Sequence, residues 1–215
     1  MADYTLRNVK GSELTFSEVD NNFIASRSSG RFSNTSLIEP PTGLFFSQAD
    51  RSIATTSRTP AADTIQLSPI CLGYTVEVDE VSVWQSGGIG TPNLRILVYT
   101  AGSDNLPASK VAETTDIAAP GLAAAATGTL SYTFSANTLY WVGMYTDNNT
   151  ATYECIASAD MRSLGFASVS ALGSNGIANA LQLGSTPLGS APATWTFASS
   201  QLVRVSMPLI AFRAV

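Results

Sequence analysis

From about residue 36 onwards, apolar and polar residues alternate with a period of two, and this pattern constrains the fold more than any other feature. Leu130, Tyr132 and Phe134, for example, alternate with serine and threonine, as expected of a strand with one buried face. Residues 94–99 and 139–145 are apolar at most positions, which is typical of strands buried on both faces. Many such segments predict an all-β, jelly-roll-like β-sandwich over residues 36–215. Runs of turn-forming residues separate them at 87–88, 104–107, 120–121, 147–149 and 173–176.

Some segments depart from simple alternation or leave more than one interpretation open. The apolar phase slips between Val78 and Val81, which predicts a β-bulge or a turn there. Residues 118–129 are rich in alanine and glycine and fit either a loop or one helical turn. Residues 165–192 form a long, almost uncharged segment with scattered leucines, and we expect it to cover a sheet edge or an intersubunit surface. Residues 194–197 alternate and predict a further strand.

The clearest helix signal lies near the start of the chain. Thr15 and Glu18 fit a capping box, and Ser28-Ser29-Gly30 ends the helix. Because about three turns of isolated helix are marginal in water, this helix must pack on its own domain or dock on another chain. Residues 1–35 are therefore interpreted as an attachment segment that precedes the sandwich. The candidate anchoring residues are the cap, the staple pair and the apolar face: Leu14, Thr15, Phe16, Glu18, Val19 and Phe23.

Charge and composition exclude several classes of function. The chain has no histidine, which removes Ser-His-Asp and Cys-His catalysis and histidine-ligated zinc. Residues 36–160 carry four basic and twelve acidic side chains, so this region repels phosphate backbones and nucleic acid is not expected as a partner. After Asp160 only arginines are charged, and these could pair with the acidic region within one fold or across subunits.

The carboxylates and cysteines that could act in catalysis or bind a metal do not form a convincing active site. Asp79 and Glu80 are adjacent, so on a regular strand they would point to opposite faces. The Asp104 and Asp147 turns lack a D-x-D-x-D-G calcium pattern, so we expect no metal, no cofactor and no enzymatic activity. Cys71 and Cys155 are expected to be free thiols.

No secretory or membrane-spanning segment is visible in the sequence. The first residues carry neither a basic n-region nor an apolar h-region. The longest apolar stretches are far below the roughly 20 residues needed to cross a bilayer. We therefore expect the chain to fold in the cytoplasm of the cell that makes it, without membrane insertion.

The turn after residue 145 is the best candidate for a binding surface. A central strand that ends there would place the turn at one end of the sandwich, where loops gather. Its polar groups suit the hydroxyls of a host surface glycan, and flanking tyrosines could stack on a sugar. A solvated hairpin tip without a ligand is the competing interpretation. The candidate binding residues are Tyr145, Asp147, Asn148, Asn149 and Tyr153.

Two stretches resemble known proteins. Residues 10–23, KGSELTFSEVDNNF, resemble the KGS-x-LT-x-x-EVD-x-NF segment near the starts of many tailed-bacteriophage fibre and other virion proteins. Four further pieces are similar, in order and spacing, to a β-sandwich domain at the ends of phage tail-fibre proteins. They are residues 69–84, 94–107, 138–143 and 207–213.

The resemblance implies a bacteriophage virion structural protein, assembled in the host cytoplasm and bound to other virion proteins of the tail or capsid. It also implies a homotrimer. Between residue 23 and the first strand there are no heptads and no fibrous repeat, so a long shaft is not expected. We therefore predict a short tail-fibre or tail-tip module displayed for host-surface contact, with a capsid decoration or head-fibre protein as the alternative.

Overall fold

The computed structural model describes residues 39–215, except for 48–54, 89, 122, 160, 162–163 and 167–176. The candidate anchoring residues, and the helix predicted around them, lie outside the described residues. Within the described part, no helix is both long enough and apolar enough to cross a membrane.

The described chain is built of strands, which confirms the predicted all-β sandwich. A short 3-10 turn at Ser199–Gln201 interrupts them. The strands are β1 (Phe45–Ser47), β2 (Thr55–Arg58), β3 (Ile65–Cys71), β4 (Val76–Gly88), β5 (Asn93–Ala101), β6 (Pro107–Glu113), β7 (Ile117–Ala118), β8 (Ala124–Phe134), β9 (Leu139–Thr146), β10 (Ala151–Ile156), β11 (Gly165–Phe166), β12 (Ile177–Ala178), β13 (Ala180–Leu183), β14 (Leu202–Val203), β15 (Met207–Pro208) and β16 (Ile210–Ala214).

Most of these strands belong to two antiparallel sheets. The first sheet has the order β1-β16-β4-β10-β15, with β8 added to β4 and β2 to β10. The second has the order β14-β13-β3-β9-β5-β6, with β7 added to β5. Strands β11 and β12 form a separate pair.

The space between the two sheets is filled by the main hydrophobic core. Alternation along β4 and β8 directs one apolar face inward, whereas β5 and β9 are buried on both faces, as their continuous apolar runs predicted. The first sheet contributes Val76, Val78, Val81, Val83, Leu130, Phe134 and Phe212, and the second contributes Leu94, Ile96, Val98, Val142 and Met144.

A second apolar cluster lies on the outer face of the second sheet. It contains Tyr99, Trp141 and Tyr145 from the central strands. The chain itself covers this face, because Ala191 and Trp195 pack against the same cluster. The segment from 165 to 192 was expected to cover a sheet edge or an intersubunit surface, and its described part does cover an edge, because β13 pairs along β3. It also contributes β11 and β12, and after β13 it crosses this sheet face.

The predicted irregularity in β4 is confirmed as a β-bulge. The register with β16 shifts so that Arg213 and Ala214 are opposite Glu80 and Val78, which leaves Asp79 as the extra residue of β4. The register with β8 also shifts at this place, and there the extra residue lies in β8, between Thr129 and Tyr132. The bulge also overturns the expectation that Asp79 and Glu80 face opposite ways. Both carboxylates contact Arg213, at 2.7 Å from Asp79 Oδ2 to Nη2 and 3.0 Å from Glu80 Oε2 to Nη1. Here the basic end of the chain pairs with its acidic middle inside one subunit.

Two local predictions are corrected by the structure. Of residues 118–129, the part from Ala124 belongs to β8 rather than to a loop or a helical turn. Residues 194–197 contribute a single bridge, between Thr194 and Ser109, and not a strand. Trp195 is nevertheless buried, because its ring meets Tyr99 edge-on at a centroid distance of 5.5 Å.

Candidate functional site

Three loops meet at one end of the sandwich, beyond the end of β9. The turn between β9 and β10 lies beside Gly90, since a Cβ on this glycine would be 3.4 Å from Thr150 Oγ1. Gly121, from the connection between β7 and β8, lies against Gly90 and Thr91 in the same way. The predicted gathering of loops around residues 147–150 is therefore present.

Asp147 fixes the turn to the start of β5. Its two carboxylate oxygens accept hydrogen bonds from the backbone N–H and the side-chain amide of Asn93, both at 3.1 Å. In return, the Asp147 N–H donates to the Asn93 carbonyl at 3.1 Å. Although Asp147 is exposed, its oxygens are thus engaged within the chain, and its role here is structural.

Asn148 shapes the turn itself. Its Oδ1 accepts from the N–H and the hydroxyl of Thr150, both at 2.9 Å, which is an Asx-type turn. The chain must then pass close to β4, where Gly88 has a φ of +100° and approaches the Thr150 carbonyl and Ala151. Asn149 is exposed at the tip, so of the three turn residues it is the one most open to a partner.

The expectation that Tyr145 or Tyr153 offers a stacking face is wrong. Both side chains are fully buried, although they flank an exposed turn. Tyr153 points into the core between the sheets, and this burial raises its pKa to about 12. Tyr145 points the other way, into the cluster under residues 184–198.

Several other aromatic side chains of the sandwich are also buried. Trp141 is 2% exposed, and its indole N–H donates to the Asn105 carbonyl. Trp84 differs, because 47% of it is accessible. It stands on the outward face of β4, opposite Ala125 of β8.

A polar cluster that sequence reasoning missed lies on the second sheet. Glu113 Oε1 accepts from the hydroxyl of Tyr145 at 2.6 Å, and Glu113 Oε2 lies 2.5 Å from the ammonium of Lys110. Arg95 approaches the same carboxylate at 3.4 Å and pairs with Asp116 at 2.6 Å. The four charged residues occur in β5, β6 and the loop after it, so only the sheet register brings them together.

This cluster fixes residues 184–198 to the sheet. The Tyr145 hydroxyl accepts from the N–H of Gly189 at 2.9 Å, and Lys110 donates to the Ala191 carbonyl at 2.8 Å. Nearby, the Tyr99 hydroxyl donates to the Pro192 carbonyl at 2.7 Å. The polar groups of the cluster therefore bond to one another and to residues 184–198, which indicates a structural role.

Protonation of Glu113 should weaken the fold in acid. Burial opposes its charge, but the contacts with Lys110, Tyr145 and Arg95 outweigh this, and the pKa of Glu113 lies below its ordinary value of 4.5. A lowered folded pKa gives stability that is complete above the unfolded value and is lost as the pH falls through the folded value.

We expect Glu113→Gln to lower the free energy of unfolding by about 2 kcal/mol at neutral pH, because charged hydrogen bonds to a largely buried carboxylate are lost. The difference in the free energy of unfolding between this variant and the wild type should become smaller below about pH 4.5. Urea unfolding of both proteins across the acidic range would measure this, with Glu77→Gln, an exposed strand carboxylate, as the control. A difference in the free energy of unfolding that does not change with pH would contradict the stabilising role of the charged Glu113 side chain.

The two thiols are free, as expected from the sequence. Cys155 is buried, and burial raises its pKa to about 12. Burial also raises the pKa of Cys71, which is half-buried. Neither thiol has the lowered pKa of a reactive cysteine, and no cluster of potential metal ligands occurs among the residues that the structure describes.

Comparison with known proteins gives little further information. No protein-family model and no curated protein matches the sequence. A chain of a solved virus structure, the "Crystal structure of the T13 IBDV viral particle", is similar over 80% of this chain, with 12% identity and a TM-score of 0.32. This chain spans 38% of the length of that one. A similarity of this degree assigns neither a family nor a function.

Proposed function

We propose that this protein is a structural protein of a tailed-bacteriophage virion, displayed as a short tail-fibre or tail-tip module that contacts the host surface. The proposal starts from the resemblance of residues 10–23 to a segment of phage fibre and virion proteins. It includes no enzymatic activity, no cofactor and no nucleic-acid partner.

The polarity of the sandwich is the structural observation that supports this role most directly. The described chain begins beside the C-terminal strand, where the Gly43 N–H donates to the Ala214 carbonyl, and Ala214 is opposite Val78 near the start of β4. The loop cluster around residues 147–150 adjoins Gly88, at the other end of β4. Ten residues of strand separate these two levels, or about 33 Å at a rise of about 3.3 Å per residue.

The described chain enters the sandwich at one end and presents exposed loops at the other, which is the layout that a displayed module requires. Loops on a rigid scaffold are common binding surfaces. The dense hydrogen bonding of Asp147 and Asn148 holds this loop in one conformation, which would reduce the entropy lost on binding.

Location and copy number on the particle test the proposal. Quantitative mass spectrometry and antibody labelling of purified virions should find a few copies, placed on the tail. Many copies spread over the head would show that the protein is a capsid decoration protein and not a tail module. Absence from purified virions would reject both.

Substitution at the exposed tip should impair host adsorption without affecting the fold. In Asn149→Arg/Thr91→Arg, two exposed side chains of adjoining loops become bulky cations that would obstruct a glycan. We expect adsorption to host cells to fall at least tenfold, while the melting temperature stays close to wild type, as is usual for surface changes.

A matched control is Thr138→Arg/Ser200→Arg, which places the same two charges on exposed positions outside this loop cluster; Thr138 follows β8 near the Val76 end of β4, opposite to Gly88. Equal adsorption by tip variant and control would remove residues 147–150 from the host-binding surface.

A further inference from the structure

Strand β8 is a long open edge. It is 11 residues long and pairs with β4 over nearly its whole length, from Val76–Phe134 to Gln85–Ala124. Among the described residues no strand pairs with its other side. A sheet edge of this kind presents unpaired backbone N–H and C=O groups that can pair with another chain.

The other edges within the described part of the chain are short or covered. Strands β1, β2, β14 and β15 contain two to four residues each. Strand β6 is longer, but residues 193–195 lie along it: the N–H of Lys110 donates to Ala193 and the N–H of Trp195 donates to Ala108. Strand β6 also carries charges at Lys110 and Glu113.

Strand β8 has a one-residue bulge between Thr129 and Tyr132, but it lacks the charged residues and prolines by which many natural edges avoid pairing. No charged residue occurs between Asp116 and Asp147, and β8 itself contains no proline. Its buried side chains, among them Leu130 and Phe134, fix which face points inward. Its outward face carries only small and hydroxyl side chains, at Ala125, Thr127, Thr129, Ser131 and Thr133.

We infer that β8 of one copy pairs with β8 of a second copy, antiparallel and about a two-fold axis. A second β8 offers a partner edge of the same 11-residue length, whereas the other uncovered edge strands of the described chain contain two to four residues. Because the strand is uncharged, self-pairing brings no like charges opposite each other, and threonine pairs across such a junction are favourable. The first sheet of one copy and the first sheet of the other would then form one continuous sheet through the dimer.

This contact is isologous, so it predicts assemblies with an even number of chains. It is independent of where the protein sits on the virion. If the threefold association implied by the resemblance also forms through other surfaces, the two contacts together give a hexamer, and loss of the β8 contact returns it to trimers.

The test compares the mass in solution of the wild type with that of edge variants. Light scattering should give about 45 kDa, twice the chain mass of 22.5 kDa, or a larger even multiple. Thr129→Lys/Ser131→Lys places cations on two exposed positions of β8 and should halve that mass. The control Thr115→Lys/Ser200→Lys adds the same charge elsewhere and should leave the mass unchanged.

Charge reversal distinguishes self-pairing from a general effect of the substitutions. Thr129→Glu/Ser131→Glu should also halve the mass, and mixing it with the lysine variant should restore the full mass through mixed pairs. Melting curves of both variants establish that the subunit remains folded. A wild type that is monomeric up to high micromolar concentration, an odd-numbered assembly, or an edge variant with unchanged mass would overturn the inference.

Discussion

Gly143→Ala is expected to destabilise the sandwich by about 3 kcal/mol or more, the upper range for overpacking in a core. Gly143 lies in β9, between Leu67 of β3 and Leu97 of β5. A Cβ at this position would overlap the carbonyl oxygen of Gln66 and lie 2.8 Å from Leu67 Cδ2. The backbone cannot move aside, because β9 is hydrogen-bonded on both edges.

Urea unfolding followed by circular dichroism would measure the change in the free energy of unfolding. Gly87→Ala is a matched control, since it makes the same substitution in strand β4, where an added Cβ meets nothing within 4 Å. If Gly143→Ala were as stable as Gly87→Ala, the close approach of β3 to β9 would be incorrect.

This glycine also illustrates what the sequence could and could not predict. The apolar run at 139–145 correctly predicted a strand buried on both faces. However, nothing in the local pattern indicates that Gly143 is needed for the approach of β3, because the neighbour is more than 70 residues away in the chain. Strand identity follows from local periodicity, whereas the demands of packing depend on which strands become neighbours.

The tyrosines beside the turn show the same limit in the candidate site. Their position beside a loop predicted that Tyr145 and Tyr153 are exposed. However, Tyr145 of β9 lies on the outer face of the second sheet, and Tyr153 of β10 points into the space between the sheets. The opposite sheet covers Tyr153, and residues 184–198 cover Tyr145. Residues 184–198 are distant from Tyr145 in the chain and have no regular alternation, so their packing over Tyr145 could not be predicted from a periodic pattern.

The bulge in β4 was predictable because it leaves a local mark. The valines change phase across Asp79 and Glu80, and the structure places the register shift there. The consequence for charge was not predictable, since it requires Arg213 from the far end of the chain to become a neighbour in β16. The phase change within β4 was therefore interpreted correctly, whereas its pairing with β16 could not be predicted from the local pattern.

Deleting residues 1–30 should abolish incorporation into particles while leaving the sandwich folded. Every buried residue of both apolar clusters lies at position 65 or beyond, so the deletion removes none of the described core. The melting temperature of the truncated protein should therefore stay close to that of the full chain. Incorporation should fall to background, because the capping box and the apolar face from Phe16 to Phe23 are the proposed attachment surface. Particle assembly with tagged full-length and truncated protein, followed by quantitative immunoblotting, measures both amounts.

Point variants separate loss of the attachment helix from loss of chain length. Thr15→Ala removes the helix cap at a cost of about 1 kcal/mol to local stability, and it should reduce incorporation without affecting the melting of the sandwich. Asn8→Ala, which lies outside residues 10–23, serves as the matched control and should incorporate normally. Melting of the truncated protein far below that of the full chain would mean that residues 1–30 belong to the fold of the sandwich. Normal incorporation of the truncated protein would place the attachment surface on the sandwich itself and remove the role assigned to Phe16, Val19 and Phe23.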